Sequence, residues 1–119
     1  MPEPGARTLR RKFLTDCANG LGVAETELKR QVVAVLRKAH WRVYVCSERR
    51  KGYTKFPTGW PDIFARHVEK RVCVWIECKA PGEKLRPDQT EFMLEALAAG
   101  ERYWMIDSLG ELTFNLARV

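Results

Sequence analysis

Residues 61–79 read PDIFARHVEKRVCVWIECK, and the pairing within this stretch decides how the rest of the chain is placed. Two runs rich in β-forming residues, Asp62–Val68 and Arg71–Lys79, flank Glu69-Lys70 and spell an antiparallel hairpin. A tight turn at Glu69-Lys70 sets residues whose numbers sum to 139 opposite one another. Asp62 then faces Glu77 from the same side of the sheet, with Cα atoms roughly 4.5–5.5 Å apart. Lys79 lies two residues from Glu77 and projects from that side too. A three-residue turn would slip the pairing by one and send Asp62 to the opposite face. The second run is apolar on both faces, as expected of a central strand covered on both sides.

Upstream of the hairpin, Trp41–Ser47 (WRVYVCS) reads as a strand. Before it, Leu28, Val32, Val35, Leu36 and Ala39 follow the spacing of an amphipathic helix from about Thr26 to Ala39. Leu9, Phe13 and Cys17 suggest an earlier helix ending at Asn19-Gly20, with the basic run Arg10-Arg11-Lys12 on its exposed side. Residues 1–6, with two prolines and a glycine, read as a disordered start. Downstream, Pro81-Gly82 breaks the chain. Pro87 suits the first position of a helix running to Ala99, with Gly100 just past its end. Arg102–Asp107 and Glu111–Leu116 read as two further strands joined at Ser108-Leu109-Gly110. The expected architecture is a single α/β domain over residues 1–119, with a mixed central sheet flanked by helices.

The chain has 119 residues, 45% hydrophobic and 30% charged, enough to bury one core. A formal charge of +6 favours a polyanionic partner, nucleic acid first. No apolar run is long enough for a membrane helix, and the basic start lacks the apolar centre of a secretion signal. The expected location is therefore intracellular and cytoplasmic. The four cysteines do not form a zinc pattern: Cys73 and Cys78, five apart on one strand, point to opposite faces. Free thiols are the simpler reading.

Two carboxylates facing each other across a hairpin repel, so Asp62 and Glu77 call for a positive partner. A hard divalent cation fits. Mg²⁺ takes oxygen ligands, keeps several waters and is held by one or two carboxylates together with substrate phosphate. The backbone carbonyl of Cys78 offers a third oxygen, and Lys79 is placed to orient water or to stabilise charge on a phosphate. A surface ion pair of Glu77 with Lys79 or Arg71 is the plainer alternative. It fits poorly with two charges closing the most apolar strand of the chain. Gln89 begins a helical stripe continued by Phe92, Met93, Ala96 and Gly100, so it faces the sheet.

Glu27 in a helix, then Gly59-Trp60-Pro61-Asp62, Glu77-Cys78-Lys79 and Gln89, resemble the PD-(D/E)XK nuclease superfamily. Within it the chain looks like the VRR-NUC branch, in which G-x-P-D precedes E-x-K and a glutamine opens the following helix. The resemblance runs from about Glu25 to Asp107. It implies a restriction-endonuclease-like core and a Mg²⁺- or Mn²⁺-dependent phosphodiesterase. Asp62 and Glu77 would be metal ligands, Lys79 the catalytic lysine, and Glu27 and Gln89 supporting residues. Glu25 competes with Glu27 for its role, and an acid in a first helical turn also suits the helix dipole. Small stand-alone members, often phage-borne, resemble homodimeric Holliday-junction resolvases, which implies branched DNA as substrate and a homodimer as the working form.

The connection from Glu48 to Thr58 interleaves Arg49, Arg50, Lys51 and Lys55 with Tyr53 and Phe56, a mixture suited to backbone phosphates and stacked bases. His40 and His67 read as structural, and Trp75 and Trp104 as packing residues. Trp41, Tyr44, Phe56, Trp60, Trp104 and Phe114 together offer aromatic surface for a subunit contact. A nickase or flap nuclease, a restriction-type endonuclease, and a nucleic-acid-binding module without turnover compete with the junction-cutting reading. Base-specific readout is disfavoured because the chain is short for a separate reading region.

Overall fold

The hairpin at the centre of the chain pairs Ile63 with Ile76, Ala65 with Val74 and His67 with Val72, so every pair keeps the sum of 139. Four residues, Val68 to Arg71, connect the last pair, and the Arg71 N–H closes the turn on the Val68 carbonyl at 3.2 Å. Arg71 takes the left-handed conformation, φ 56°. An even number of connecting residues preserves the side on which each residue falls, and Asp62 and Glu77 share a face, as the tight-turn reading expects and the slipped register does not.

The computed structural model describes residues 23–46 and 57–119. Its elements are α1 (Val23–Lys38), β1 (Arg42–Val45), β2 (Ile63–His67), β3 (Val72–Cys78), α2 (Pro87–Ala98), β4 (Arg102–Ile106) and α3 (Leu109–Leu116). The helix expected around Leu9–Cys17, the disorder expected at residues 1–6, and the connection expected to carry Arg49, Arg50, Lys51 and Lys55 to phosphate lie outside the described residues. The sheet order is β1-β2-β3-β4. The first two pairings are antiparallel and β3–β4 is parallel, so the sheet is mixed. A parallel neighbour needs a crossover, and α2 supplies it.

Alternation along β2 and β3 divides the sheet into two unlike faces. One carries Ile63, Ala65, Val74, Ile76 and Cys78, joined by Ile106 of β4 and Trp41. Leu28, Val32 and Leu36 of α1 and Leu112 of α3 complete this core. The other face carries Asp62, Phe64, Trp75, Glu77 and Tyr103, and α2 covers its β3–β4 half through Phe92, whose ring meets Trp75 at 5.1 Å. His67 is buried on the core side, edge-on to Trp41, and accepts from the Lys70 N–H through Nδ1.

Both helices that precede strands end in the same way. The Trp41 N–H reaches Leu36 and the His40 N–H reaches Arg37, while the Glu101 N–H reaches Ala96 and the Gly100 N–H reaches Leu97. This is the Schellman arrangement, with His40 (φ 70°) and Gly100 (φ 80°) in its left-handed position. His40 therefore has a capping role.

The expected strand Glu111–Leu116 is instead the helix α3. Ser108 caps it, its side chain accepting from the Glu111 N–H at 3.2 Å, so the presumed turn at Ser108-Leu109-Gly110 is a helix start. Leu112, Phe114 and Leu116 also alternate with a period of two, which is why the segment reads as a strand. Leu109, Leu112 and Leu116 fit the helical period, and Ser108-x-x-Glu111 is a capping signature. Trp41 and Trp104 pack in or against the core, which removes them from the aromatic surface expected for a subunit contact.

Candidate metal centre

At the C-terminal end of β3, beyond its last pairing with β2, the polar face collects its charges. Asp62 is the residue just before β2, aligned with Glu77 by the hairpin register. Two backbone bonds tie the pair together. The Asp62 N–H donates to Glu77 Oε2 at 3.2 Å, and the Cys78 N–H donates to Asp62 Oδ2 at 3.0 Å. In a strand, the N–H and C=O of one residue point toward the same neighbouring chain. The Cys78 carbonyl is thus directed to the Asp62 side, while the Lys79 N–H turns the other way to Ile106.

Glu77 is only 2% exposed, and its second oxygen accepts from the Gln89 amide at 3.1 Å. The opposite end of that amide, Oε1, accepts from the Arg86 N–H at 2.9 Å, which fixes its orientation and closes the first turn of α2. Lys79 is buried as well, with Nζ 3.9 Å from Glu77 Oε1. It immediately precedes a turn closed by the Glu83 N–H on the Ala80 carbonyl. Pro81 and Gly82 stand at the turn's centre and Gly82 supplies the positive φ of 85°.

The third carboxylate comes from Glu25. One oxygen each from Glu25, Asp62 and Glu77 lie within 4.8 Å of one another. Glu27 goes elsewhere: both its oxygens engage Arg30, at 3.0 and 2.6 Å, and Gln31 also donates to it. The structure therefore brings Asp62, Glu77, Lys79 and Gln89 together and puts Glu25, not Glu27, beside them. A signal for this was present. Glu25 stands three residues before Leu28 and seven before Val32, on the buried stripe of α1. Glu27 lies about 160–200° around the helix from Glu25 at 3.6 residues per turn.

Burial first, and then the charge of Asp62, push Glu77 up to about 8 from its ordinary 4.5, against the opposing pull of Lys79. Glu25 is also raised, chiefly by burial, with Asp62 and Glu83 adding to the effect and Lys79 opposing it. One buried ammonium thus stands among three crowded carboxylates, an arrangement that a divalent cation relieves. The donors are all oxygen, the set preferred by Mg²⁺ or Mn²⁺ over softer metals. The thiol of Cys78 is on the core face and takes no part.

The loop preceding Asp62 is pinned to the helix that carries Gln89. Gly59 has φ 89°, and a Cβ there would meet the Asp88 carbonyl oxygen at 2.7 Å. Only glycine allows both the conformation and the approach. Trp60 packs across Trp75 and Phe92, with ring centroids 5.6 and 5.7 Å away.

The VRR-NUC domain family model matches residues 6–104, a span holding Glu25, Glu27, Asp62, Glu77, Lys79 and Gln89. Comparison with curated proteins and with solved structures returned no match.

Proposed function

The chain belongs to the VRR-NUC domain family, and from that premise we propose that it is a Mg²⁺- or Mn²⁺-dependent endonuclease that hydrolyses the phosphodiester backbone of DNA. One observation carries the reading: three carboxylates, from Glu25, Asp62 and Glu77, converge within 4.8 Å beside a buried lysine.

Asp62, Glu77 and the Cys78 carbonyl are the proposed metal ligands, with Glu25 in the supporting place expected of Glu27. A bound divalent cation supplies Lewis-acid activation of water and of a phosphoryl oxygen at neutral pH. The Cys78 N–H holds Asp62, while the Asp62 N–H and Gln89 hold Glu77, so neither carboxylate must reorganise when a substrate arrives. Lys79 is the catalytic lysine. Its Nζ, 3.9 Å from Glu77 Oε1, orients the attacking water or balances charge developing on the phosphate. Gln89 is a positioning residue, since its amide touches Glu77 and is itself fixed by the Arg86 N–H.

The finer reading is structure-specific cleavage of branched DNA such as a Holliday junction by a homodimer. Two paired incisions need two copies of one site in matching positions, which a two-fold dimer provides. The loop with Arg49, Arg50, Lys51 and Lys55 is a proposed phosphate contact. Of the aromatic residues expected at a subunit contact, Tyr44, Trp60 and Phe114 are exposed.

The test is cleavage of junction, flap, nicked and linear DNAs with and without Mg²⁺ or Mn²⁺. Asp62→Asn, Glu77→Gln and Lys79→Ala should each lower turnover on the order of 10²–10³-fold or more, and Gln89→Ala should lower it less. Undiminished cleavage in excess chelator would remove the metal from the reaction. A monomer that prefers flaps would overturn the junction reading and leave the nuclease standing.

A further inference from the structure

The polar face of the sheet does not end at the acidic cluster. β1 pairs with β2 so that Tyr44 faces Phe64 and Arg42 faces Arg66, and these lie on the same side as Asp62. Walking along β2 from Asp62, the first row is Tyr44–Phe64, with ring centroids 6.2 Å apart. The second row is Arg42–Arg66. Among the described residues no helix lies over this half of the face. Tyr44 is 48% exposed, and Arg42, Arg66 and Cys73, which is paired with Arg66 on β3, are all exposed.

Two arginines directly opposite on neighbouring strands repel. Neither makes an ion pair among the described residues. Arg66 lies over the Phe64 ring, 5.8 Å from its centroid, which holds its guanidinium against the sheet. Among the described residues neither guanidinium has a hydrogen-bond acceptor, so each presents its donors in the planar fork that matches phosphate. At about 3.3 Å per residue, Arg66 stands roughly 13 Å along the strand from Asp62. A polyanion crossing the acidic cluster reaches the arginines a few nucleotides later.

We propose that the open β1–β2 half of the polar face is a nucleic-acid track, in which Arg42 and Arg66 grip backbone phosphates beside the cut site and Tyr44 offers a stacking surface. The inference rests on the nuclease reading for its direction, but its test does not depend on cleavage. Fluorescence anisotropy with labelled DNA in chelator, over a range of salt, reads the phosphate contacts alone. Arg42→Gln and Arg66→Gln should each lower the slope of log affinity against log salt by about one, and weaken binding roughly fivefold at 0.15 M salt. Arg66→Lys should keep the slope, and Arg37→Gln, on α1 at the other face, should leave it nearly unchanged. Because the substitutions remove repulsion, thermal stability should hold or rise, so weakened binding would not reflect unfolding.

As an independent measurement, Cys73 should attack a pyridyl disulfide tethered to the DNA backbone, joining protein to DNA through a new disulfide and releasing pyridinethione, and Cys73→Ser should abolish that product. A wild-type protein that cuts DNA while both glutamine variants bind like Arg37→Gln would overturn the track and spare the nuclease. A protein that does not cut, but binds DNA with the slope changes expected here, would do the reverse. Failure of Cys73 to cross-link, together with unchanged slopes, would sink the proposal.

Discussion

The two faces of the β2–β3 hairpin differ by one residue in sequence and wholly in purpose. Ile63 faces Ile76 on one side, both fully buried, and the next residues outward, Asp62 and Glu77, face each other on the other side. The apolar pair stabilises the fold by leaving water. The acidic pair works against it, since Glu77 is buried at a cost and sits beside another carboxylate. A side chain kept where it harms the fold points to a use outside folding. The contrast between neighbours 76 and 77 makes that argument without reference to any relative.

The contrast is open to direct attack. Ile76→Ala should cost about 2–5 kcal/mol of stability through the cavity it leaves, while surviving folded protein keeps its metal requirement. Glu77→Gln should do the opposite. It should leave the metal-free protein as stable as the wild type or more so, and should abolish turnover. Urea denaturation beside a cleavage assay separates these outcomes. A Glu77→Gln protein that unfolds as readily as Ile76→Ala would mean that the glutamate is structural.

A smaller effect should appear in the response to pH. The folded metal-free protein holds Glu77 near 8, above its value in an unfolded chain, so the fold favours the protonated carboxyl. The stability that this contributes is complete below about pH 4.5 and is lost as pH rises through about 8. A cation must displace the proton, so its affinity should climb over the same interval. The rise in melting temperature caused by saturating Mg²⁺ should therefore be larger at about pH 8.5 than at about pH 6. Equal shifts at the two pH values would show that Glu77 does not meet the metal.

Much of this was legible in the sequence because strand periodicity is rigid. Once the turn at Glu69-Lys70 is placed, Asp62, Glu77 and Lys79 must share a face, and the even loop from Val68 to Arg71 leaves that parity intact. Gln89 was legible for a similar reason, as the first residue of a helical stripe. The choice between Glu25 and Glu27 turned on which side of α1 each occupies, which Leu28 and Val32 already marked. Glu111–Leu116 misled because an eight-residue helix is too short for its period to stand out from alternation. The Arg42–Arg66 row could not be read at all. It depends on how β1 registers against β2 across the long connection from Cys46 to Asp62, and no turn rule fixes that register.

The central claim is that the carboxylates of Glu25, Asp62 and Glu77 form one divalent-cation site. Mn²⁺ binding followed by electron paramagnetic resonance, with no DNA present, measures it most directly. The expected result is saturable binding that Mg²⁺ displaces, that Asp62→Asn and Glu77→Gln abolish, and that Glu25→Gln weakens while Glu27→Gln leaves it unchanged. Binding that survives Asp62→Asn and Glu77→Gln, or that Glu27→Gln weakens more than Glu25→Gln, would contradict it.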